Sequence, residues 1–471
     1  MSALLPPPAL LVQLESALDT LTGGGRDLPV RHRTMRGAIA WSYDLLTEGE
    51  RWLFAHLAVF AAGCTLEAVT MVCEVVSGPV VEVLNDLGAL VDHSLVRRIE
   101  DADGAPRFAM LEVVWEFALE RLVASGKADA AQRRHAVFYL GMAERTEAML
   151  RGPGQMAWLD RLEREIDNLR AALDWAFSSG EAAFALRLAA ALDCFWQYHA
   201  RVGEGRYWLA RGLAAGTGIS PAVRARALGL AGWLARFQDD MEGAEAALLE
   251  GSALYRTLDD QRGIATVRDA LGDLAHFQGD QQRARALHEE NLTLRRALGD
   301  RWGIAMTLNS LGWIALAQGD AGKATRLLAK SLTLVRELGD QRGIAMVLEG
   351  LARVALDRDD ATGATTALTE SLMLFRELGS KIDISLCLDG LGAVAALRGE
   401  AERSARLFGA ARSLRESIGV DLAAGTDQYY APHRACARAQ LGEARWETTW
   451  AAGRALPMER AIKEALGLAT Q

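Results

Sequence analysis

The sequence predicts an all-α protein in which a short helical module bearing one β-hairpin precedes a long array of paired helices. Three observations lead there. Gly-Ile-Ala recurs at 263–265, 303–305 and 343–345, a period of 40 residues, and self-similarity at a fixed spacing marks a repeat array. At 471 residues the chain is too long for one ordinary core, yet it has only 10 prolines and 7 tyrosines, which suits helices better than strands. Upstream of about residue 125 the period is missing, and helical stretches there give way to a pair of short strands.

Residues 1–32 read as a connector. They contain Pro6-Pro7-Pro8 and Gly23-Gly24-Gly25-Arg26, with no basic stretch before the apolar residues and so no signal-peptide pattern. Residues 33–125 form the first module, with helices expected at 34–46, 48–60, 66–75 and 80–91. Strands follow at 94–99 and 107–110, joined by an Asp-Ala-Asp-Gly-Ala-Pro turn, and a helix at 112–124 leads onward. Helix, helix, hairpin is the pattern of a winged helix. Residues 126–219 read as two irregular helical hairpins capping the array, with helices at 130–150, 155–177, 181–199 and 205–215.

The array itself spans 220–419 as five 40-residue units, each two helices joined by a glycine-acid turn. In the best-formed unit Ile304, Leu308, Leu311 and Ala315 recur at helical spacing, so one face is buried. Gly319 ends that helix in a left-handed conformation, and Asp320 caps the next, whose inward face is Ala324, Leu327, Leu328, Leu332 and Val335. Gly272, Gly312 and Gly392, like Ala244, Ala284, Ala324 and Ala364, are small where two helices approach. Residues 420–471 close the array, with helices at 427–441 and 458–468.

Leu311-Gly312, Ala315, Gln318-Gly319-Asp320 and Ala324 resemble a tetratricopeptide repeat, whose usual unit is about 34 residues. The longer period is assigned to longer helices and the Leu338-Gly339-Asp340 link. HEAT-like hairpins have a suitable length but lack these signals. The resemblance implies a right-handed α-solenoid.

In the first module Arg33-Thr34-Met35-Arg36, Trp41-Ser42-Tyr43-Asp44-Leu45-Leu46, Glu50-Arg51, Ala58-Val59-Phe60 and Phe108-Ala109-Met110-Leu111-Glu112 resemble the winged-helix segment of bacterial STAND regulators, the NB-ARC-type ATPases that carry tetratricopeptide arrays. The stretch from Glu165 to Trp175 is similar to the start of their repeat region. Such ATPases hold phosphates with a GxxxxGK[ST] loop, and no such loop occurs in this sequence. The expectation is therefore a chain whose ATPase half was lost, or one that belongs to a longer regulator.

Composition and motifs narrow the function. The net charge of −9 argues against a surface that tracks phosphates everywhere. Five scattered cysteines form no CxxC pair, so neither a disulfide framework nor a zinc site is expected, and a reducing cytoplasm fits. No apolar run reaches the length of about 18 residues that a membrane span needs. The 8 histidines make no HExxH pair and no serine lies in GxSxG, so no enzyme, metal or cofactor is expected; His288-Glu289-Glu290 reads as a solvated helical face.

Two sites remain. The helix at 80–91 presents Glu82, Asn85 and Asp86 where a recognition helix needs basic groups, so DNA is disfavoured, although Arg97, Arg98 and Arg107 on the hairpin are candidates for phosphate contact. In the array, register-mates off the core stripe are expected to line a concave groove: Arg226, Trp233, Arg236, Asp269, Asp273, His276, Asn309, Trp313, Glu349, Arg353 and Asp389. The aromatic and mixed-charge side chains favour a protein or peptide partner, or a small effector, so the expected role is a non-catalytic sensor or interaction module. A DNA-binding regulator acting through the winged helix is the alternative.

Overall fold

The computed structural model describes residues 34–73, 80–100, 104, 106–199, 201–216, 218–419 and 424–468. The expected connector at 1–32 lies outside them. Two compact units divide the chain: one runs through Met142 and also takes Arg164–Gly180, and the other comprises Ala143–Glu163 and Glu181 onward.

The first unit opens with α1 (Met35–Asp44) and α2 (Glu48–His56), followed by a single 3-10 turn. Thr34 caps α1 by accepting the Gly37 N–H, and Thr47 and Glu50 close a reciprocal capping box on α2. Arg36 reaches α5 (Glu112–Ala124) and clasps Glu120 through two bonds of 2.9 and 2.6 Å. Between these lie β1 (Cys64–Thr65), α3 (Leu66–Val72), α4 (Val80–Asp92), β2 (Arg97–Glu100) and β3 (Pro106–Ala109).

The sheet is antiparallel with order β1-β3-β2, pairing Cys64 with Phe108 and Arg98 with Phe108 on its other side. This is the winged helix that the sequence predicts, with one strand added. A two-residue strand shows no alternation, so β1 could not be read from pattern. The expected strand at 94–99 starts later, because Ser94 has a positive φ of 58° and turns the chain out of α4.

The chain continues through α6 (Ala128–Met149), α7 (Gln155–Arg164), α8 (Ile166–Ser178), α9 (Ala182–Ala191), α10 (Asp193–Tyr198) and α11 (Val202–Ala214). Two helices expected to be continuous are broken. Between α7 and α8 the break falls at Glu165, which leaves helical geometry and buries its carboxylate.

Five hairpins follow in the second unit: α12 (Pro221–Ala235) with α13 (Met241–Thr257), α14 (Gln261–Phe277) with α15 (Gln281–Ala297), α16 (Arg301–Ala317) with α17 (Ala321–Leu338), α18 (Gln341–Leu356) with α19 (Ala361–Glu377), and α20 (Lys381–Leu397) with α21 (Ala401–Ser417). They form a helical repeat array resembling a tetratricopeptide solenoid. In four of the five hairpins the internal turn is built alike: Asp239, Gly279, Gly319 and Asp359 have positive φ, and the following Asp240, Asp280, Asp320 or Asp360 caps the next helix by accepting a backbone N–H at 2.8–3.0 Å, whereas in the last hairpin Gly399 is followed by Glu400, whose side chain makes no cap.

The small residues have a measurable reason. A Cβ on Gly312 would sit 2.7 Å from Leu328 Cγ, so the hairpin's closest approach requires glycine there. A polar contact also repeats: the side chains of Asn291, Ser331 and Ser371 each donate to the carbonyl 26 residues earlier, at 2.9, 2.7 and 2.9 Å. The chain closes with α22 (Ala424–Leu441), α23 (Glu443–Arg454) and α24 (Met458–Ala465), of which α23 was not expected from the sequence.

Candidate ligand-binding face of the repeat array

The first helices of the five hairpins carry the expected groove residues, and the structure sorts them into three kinds. Some are spent inside hairpins. Asp389 is buried and accepts from Arg415 at 2.6 Å, with both side chains enclosed, and Asn309 is 4% exposed. These two do not line an open surface, because their position in the repeat points toward the partner helix 26 residues on. That is a correction to the expected groove.

Asp269 sits at the same repeat position but is part of a larger network. It accepts from Arg295 Nε at 2.9 Å and from Thr307 at 3.1 Å, and lies 3.3 Å from the ring of His288. Asp273, one turn on, lies 3.2 Å from the other nitrogen of His288 and accepts from Ser310 at 2.9 Å. His288 is fully buried. It is not the solvated residue that its acidic neighbours suggest, because Gly272 leaves room for the ring: a Cβ there would lie 2.5 Å from Nε2. Burial opposes the imidazolium, but Asp269 and Asp273 outweigh it and raise its pKa to about 9.

A second kind stacks on aromatic rings. The Arg236 guanidinium lies 3.8 Å from the Trp233 ring centroid, 4.2 Å from Phe237 and 4.8 Å from Phe277. Arg353 lies over Tyr429 and within 5.8 Å of Trp313. Arg226 is different again, pairing with Glu147 at 2.5 Å, and His276 hydrogen-bonds Gln281 at 2.7 Å.

Glu349 is the third kind, an acid with little to neutralise it. Burial, helped by Asp383 and opposed by Arg353, pushes its pKa up to about 8, so at neutral pH it is mostly a neutral carboxylic acid.

These side chains face one another across the array. Asp383 on α20 acts electrostatically on Arg236, in the 3-10 turn that follows α12, although three hairpins separate them in the chain. Arg342, on α18, belongs to the same group, with its guanidinium 4.8 Å from the Tyr198 ring on α10. Sequence reasoning missed Arg342, since of its register-mates only Arg262 shares its chemistry, Trp302 and Ile382 do not, and Tyr198 lies outside the repeats.

The first residue of α7 holds the Arg342 backbone in place. Gln155 is buried, donates to Asp340 Oδ1 at 2.7 Å and accepts the Arg342 backbone N–H at 3.1 Å. Trp302 donates to the other Asp340 oxygen at 2.8 Å, and Arg151 stacks 4.5 Å from the Trp302 ring.

On the winged helix, Arg97 and Arg98 are exposed on β2, as a phosphate contact requires. Arg107 is not. It is 7% exposed, forms an ion pair with Glu165 and donates to the Gly63 carbonyl at 3.2 Å, so it cannot reach a phosphate. The exposed face of α4 carries Glu82 and Asn85, and burial, then Glu50 and Glu82, raises the pKa of the nearby Asp86. Such a face repels a phosphate backbone. Among the described residues no helix is long and apolar enough to cross a membrane, and no group of acids, histidines and cysteines has the arrangement of a metal site.

Together these observations define a winged-helix module followed by a helical repeat array that carries charged and aromatic side chains on the first helices of its hairpins. Residues 46–123 match the winged helix-turn-helix domain family. Over 270 residues the chain is 36% identical to a protein of Mycobacterium tuberculosis (strain ATCC 25618 / H37Rv) that bears the name "Putative HTH-type transcriptional regulator Rv0890c", a match covering 55% of this chain and 30% of that protein. It is 31% identical over 134 residues to an uncharacterised protein of the same strain, covering 28% of this chain and 33% of that one. The chain thus spans about a third of the length of the curated relatives it matches. Among solved structures, the STAND protein with a tetratricopeptide repeat sensor from Pyrococcus horikoshii aligns with a TM-score of 0.49 at 13% identity, over 91% of this chain and 65% of that one.

Proposed function

We propose that the chain is the sensing portion of a cytoplasmic transcription regulator, in which the inner face of the repeat array binds a small effector or a peptide segment of a partner protein. No catalysis is involved. The observation that carries this reading is the convergence of Trp233, Arg236, Asp273, Arg342 and Glu349 from separate repeats onto one face, where charge is removed from water without being fully neutralised. A folding core gains nothing from such a group, because burying charge costs free energy that only a partner returns. The names of the mycobacterial relatives supply the link to transcription.

The second reading, direct DNA binding by the winged helix, is favoured by the exposed Arg97 and Arg98 and by the domain match. The acidic face of α4 weighs against it.

One experiment compares the two. The chain is incubated with a cell extract, washed by gel filtration, and what it retains is identified by mass spectrometry. Retention should be lost in the Trp313→Ala, Glu349→Ala double variant and kept in the Arg97→Gln, Arg98→Gln variant, with unchanged circular dichroism in both. A salt-sensitive shift of duplex DNA that disappears only in the arginine variant would instead establish the second reading, because neutralised phosphates make affinity fall steeply with salt.

A further inference from the structure

Resting on that reading, we infer that the occupant is an anion: Arg236 and Arg342 form a binding site for a small molecule bearing a carboxylate or phosphate group. Arginine is the side chain suited to this, since its planar guanidinium offers paired donors that match either anion. The question is whether these two are available, and their surroundings say that they are. Among the described residues neither has a carboxylate within 4.0 Å, whereas Arg295 and Arg415 elsewhere in the array each do. The Nε of Arg236 and the Nε of Arg342 are both buried without an acceptor.

An orphaned buried donor is costly, and a buried cationic one more so. The aromatic rings explain how the guanidinium planes are held without an acid. Trp233, Phe237 and Phe277 surround Arg236, and Tyr198 lies against Arg342, so each plane is fixed while its hydrogen-bonding edge is left unspent. Stacking supplies orientation, not neutralisation.

The electrostatics differ at the two arginines: at Arg342 burial is outweighed by Tyr198, Asp383, Cys194 and Asp340, which raise the pKa, whereas Arg236 is left uncompensated. Burial lowers the Arg236 pKa to about 10 against the opposing pull of Asp273, which shows that the acids nearby do not compensate the lost hydration. Asp273 is itself committed to His288 and Ser310, and Asp383 accepts from Ser380 at 2.6 Å. With Glu349 mostly neutral, the acids that act on these arginines do so from beyond ion-pair distance, and an incoming anion would supply the direct partner that each lacks. Arg342 is fixed from behind by Gln155 through its own backbone N–H, so its side chain is presented on a braced turn.

The test uses the whole chain and two probes, inorganic phosphate and succinate, at ionic strength matched with sodium chloride. Calorimetric titration should show saturable binding of at least one, with a rise in melting temperature. Arg236→Gln and Arg342→Gln should each weaken binding at least tenfold, Arg236→Lys should weaken it less, and Arg98→Gln should leave it unchanged. Binding of phosphate alone assigns a phosphorylated effector, and of succinate alone a carboxylate effector. Should the glutamine variants misfold, phenylglyoxal labelling of the wild-type chain replaces them, and the bound anion should protect Arg236 and Arg342 while Arg98 stays reactive. Saturable binding of neither anion overturns the inference, as does binding that neither variant nor protection maps to these arginines. If neither anion binds but retention from extract still depends on Trp313 and Glu349, the sensing role stands and only the anionic occupant is wrong.

Discussion

The winged-helix unit and the repeat array both bury charge, and they treat it in opposite ways. In the first unit Arg107 meets Glu165, and the same carboxylate accepts from Tyr139 at 2.8 Å and from the Asn168 amide at 2.7 Å. Asn168 also donates to the Gly63 carbonyl at 3.0 Å, and its oxygen accepts the Ala61 N–H at 2.9 Å. Both carboxylate oxygens of Glu165 and both polar atoms of the Asn168 amide have a partner. In the array, among the described residues, neither Arg236 nor Arg342 has a carboxylate within 4.0 Å, the Nε of each is buried without an acceptor, and burial raises the pKa of Glu349 to about 8. A satisfied network specifies a fold, whereas an unsatisfied one of the same residue types is chemistry held in reserve.

The largest test of that contrast is to remove charge from each place. Glu165→Ala strands Arg107 without its carboxylate and takes partners from Tyr139 and Asn168, so the first unit should lose about 3–5 kcal/mol, the usual cost of breaking a buried pair. Arg236→Met removes a cation whose lost hydration Asp273 and Asp383 only partly offset, and leaves a side chain able to fill the aromatic slot. It should stay within about 1 kcal/mol of wild type, since apolar replacement of buried charge is often neutral. Urea denaturation measures both. Equal losses would erase the distinction between the two networks.

The pH dependence should separate the units next. His288 has a folded pKa raised to about 9, so its contribution to the array is complete below its unfolded value of 6.5 and is lost as pH rises through 9. Glu349 acts in the same direction, being an acid raised to about 8. In the first unit, His135 is buried against Asn168 at 3.3 Å, and burial lowers its pKa to about 4. Its contribution is present above 6.5 and fades as pH falls toward 4. Hydrogen exchange resolved by peptide should therefore show the array loosening toward alkaline pH and the winged helix toward acid, with an array effect on the order of 3 kcal/mol. His288→Asn should shrink the alkaline limb to the part that Glu349 supplies and leave the acid limb unchanged.

How much of this was legible in the sequence follows from where periodicity operates. The hairpins, their glycine-aspartate turns and the helix faces repeat every 40 residues, so Gly319, Asp320 and Ala324 could be placed from spacing alone. The inner face does not repeat. Trp233, Asp273, Trp313 and Arg353 occupy one repeat position with three different chemistries, and what each does depends on neighbours brought in by curvature. Asp269, Asn309, Glu349 and Asp389 looked like a polar row, but the residues 26 positions on are Arg295, Val335, Phe375 and Arg415. The acids with arginine there are paired, and the others are left in apolar company. Comparing the two columns would have shown this. Arg342, braced by Gln155 from outside the repeats, had no such signal, and Arg107 was misplaced because its partner Glu165 lies 58 residues away.

A tighter test of packing comes from Gly272, where the array's charge network and its close helix approach meet. Alanine there drives a methyl into the His288 ring, which is held on both sides by Asp269 and Asp273 and cannot swing away. Overpacking of this kind costs about 1–3 kcal/mol. Gly229, whose added Cβ would meet only a valine methyl at 3.4 Å, should accept alanine with little loss or a small gain. The same helix type, substituted alike, then gives opposite signs.

The smallest expected effect asks whether the two units fail separately. Asp320 accepts the Lys323 N–H at 2.8 Å, and Asp320→Ala removes that cap at a cost of about 1 kcal/mol. In a stacked array stability is a sum of repeat terms and nearest-neighbour terms, so the loss should be felt in the hairpin that holds the cap and in those beside it. Amides of α14 to α19 should exchange faster, by up to about fivefold for 1 kcal/mol. The matching change in the first unit is Thr47→Ala, which opens the capping box with Glu50 and should speed exchange in α2 by a similar factor. Each substitution should leave the other unit's protection unchanged. If Asp320→Ala also accelerates exchange throughout α1 to α5, the two units unfold as one cooperative body, and the contrast between their charge networks cannot be measured as separate stabilities.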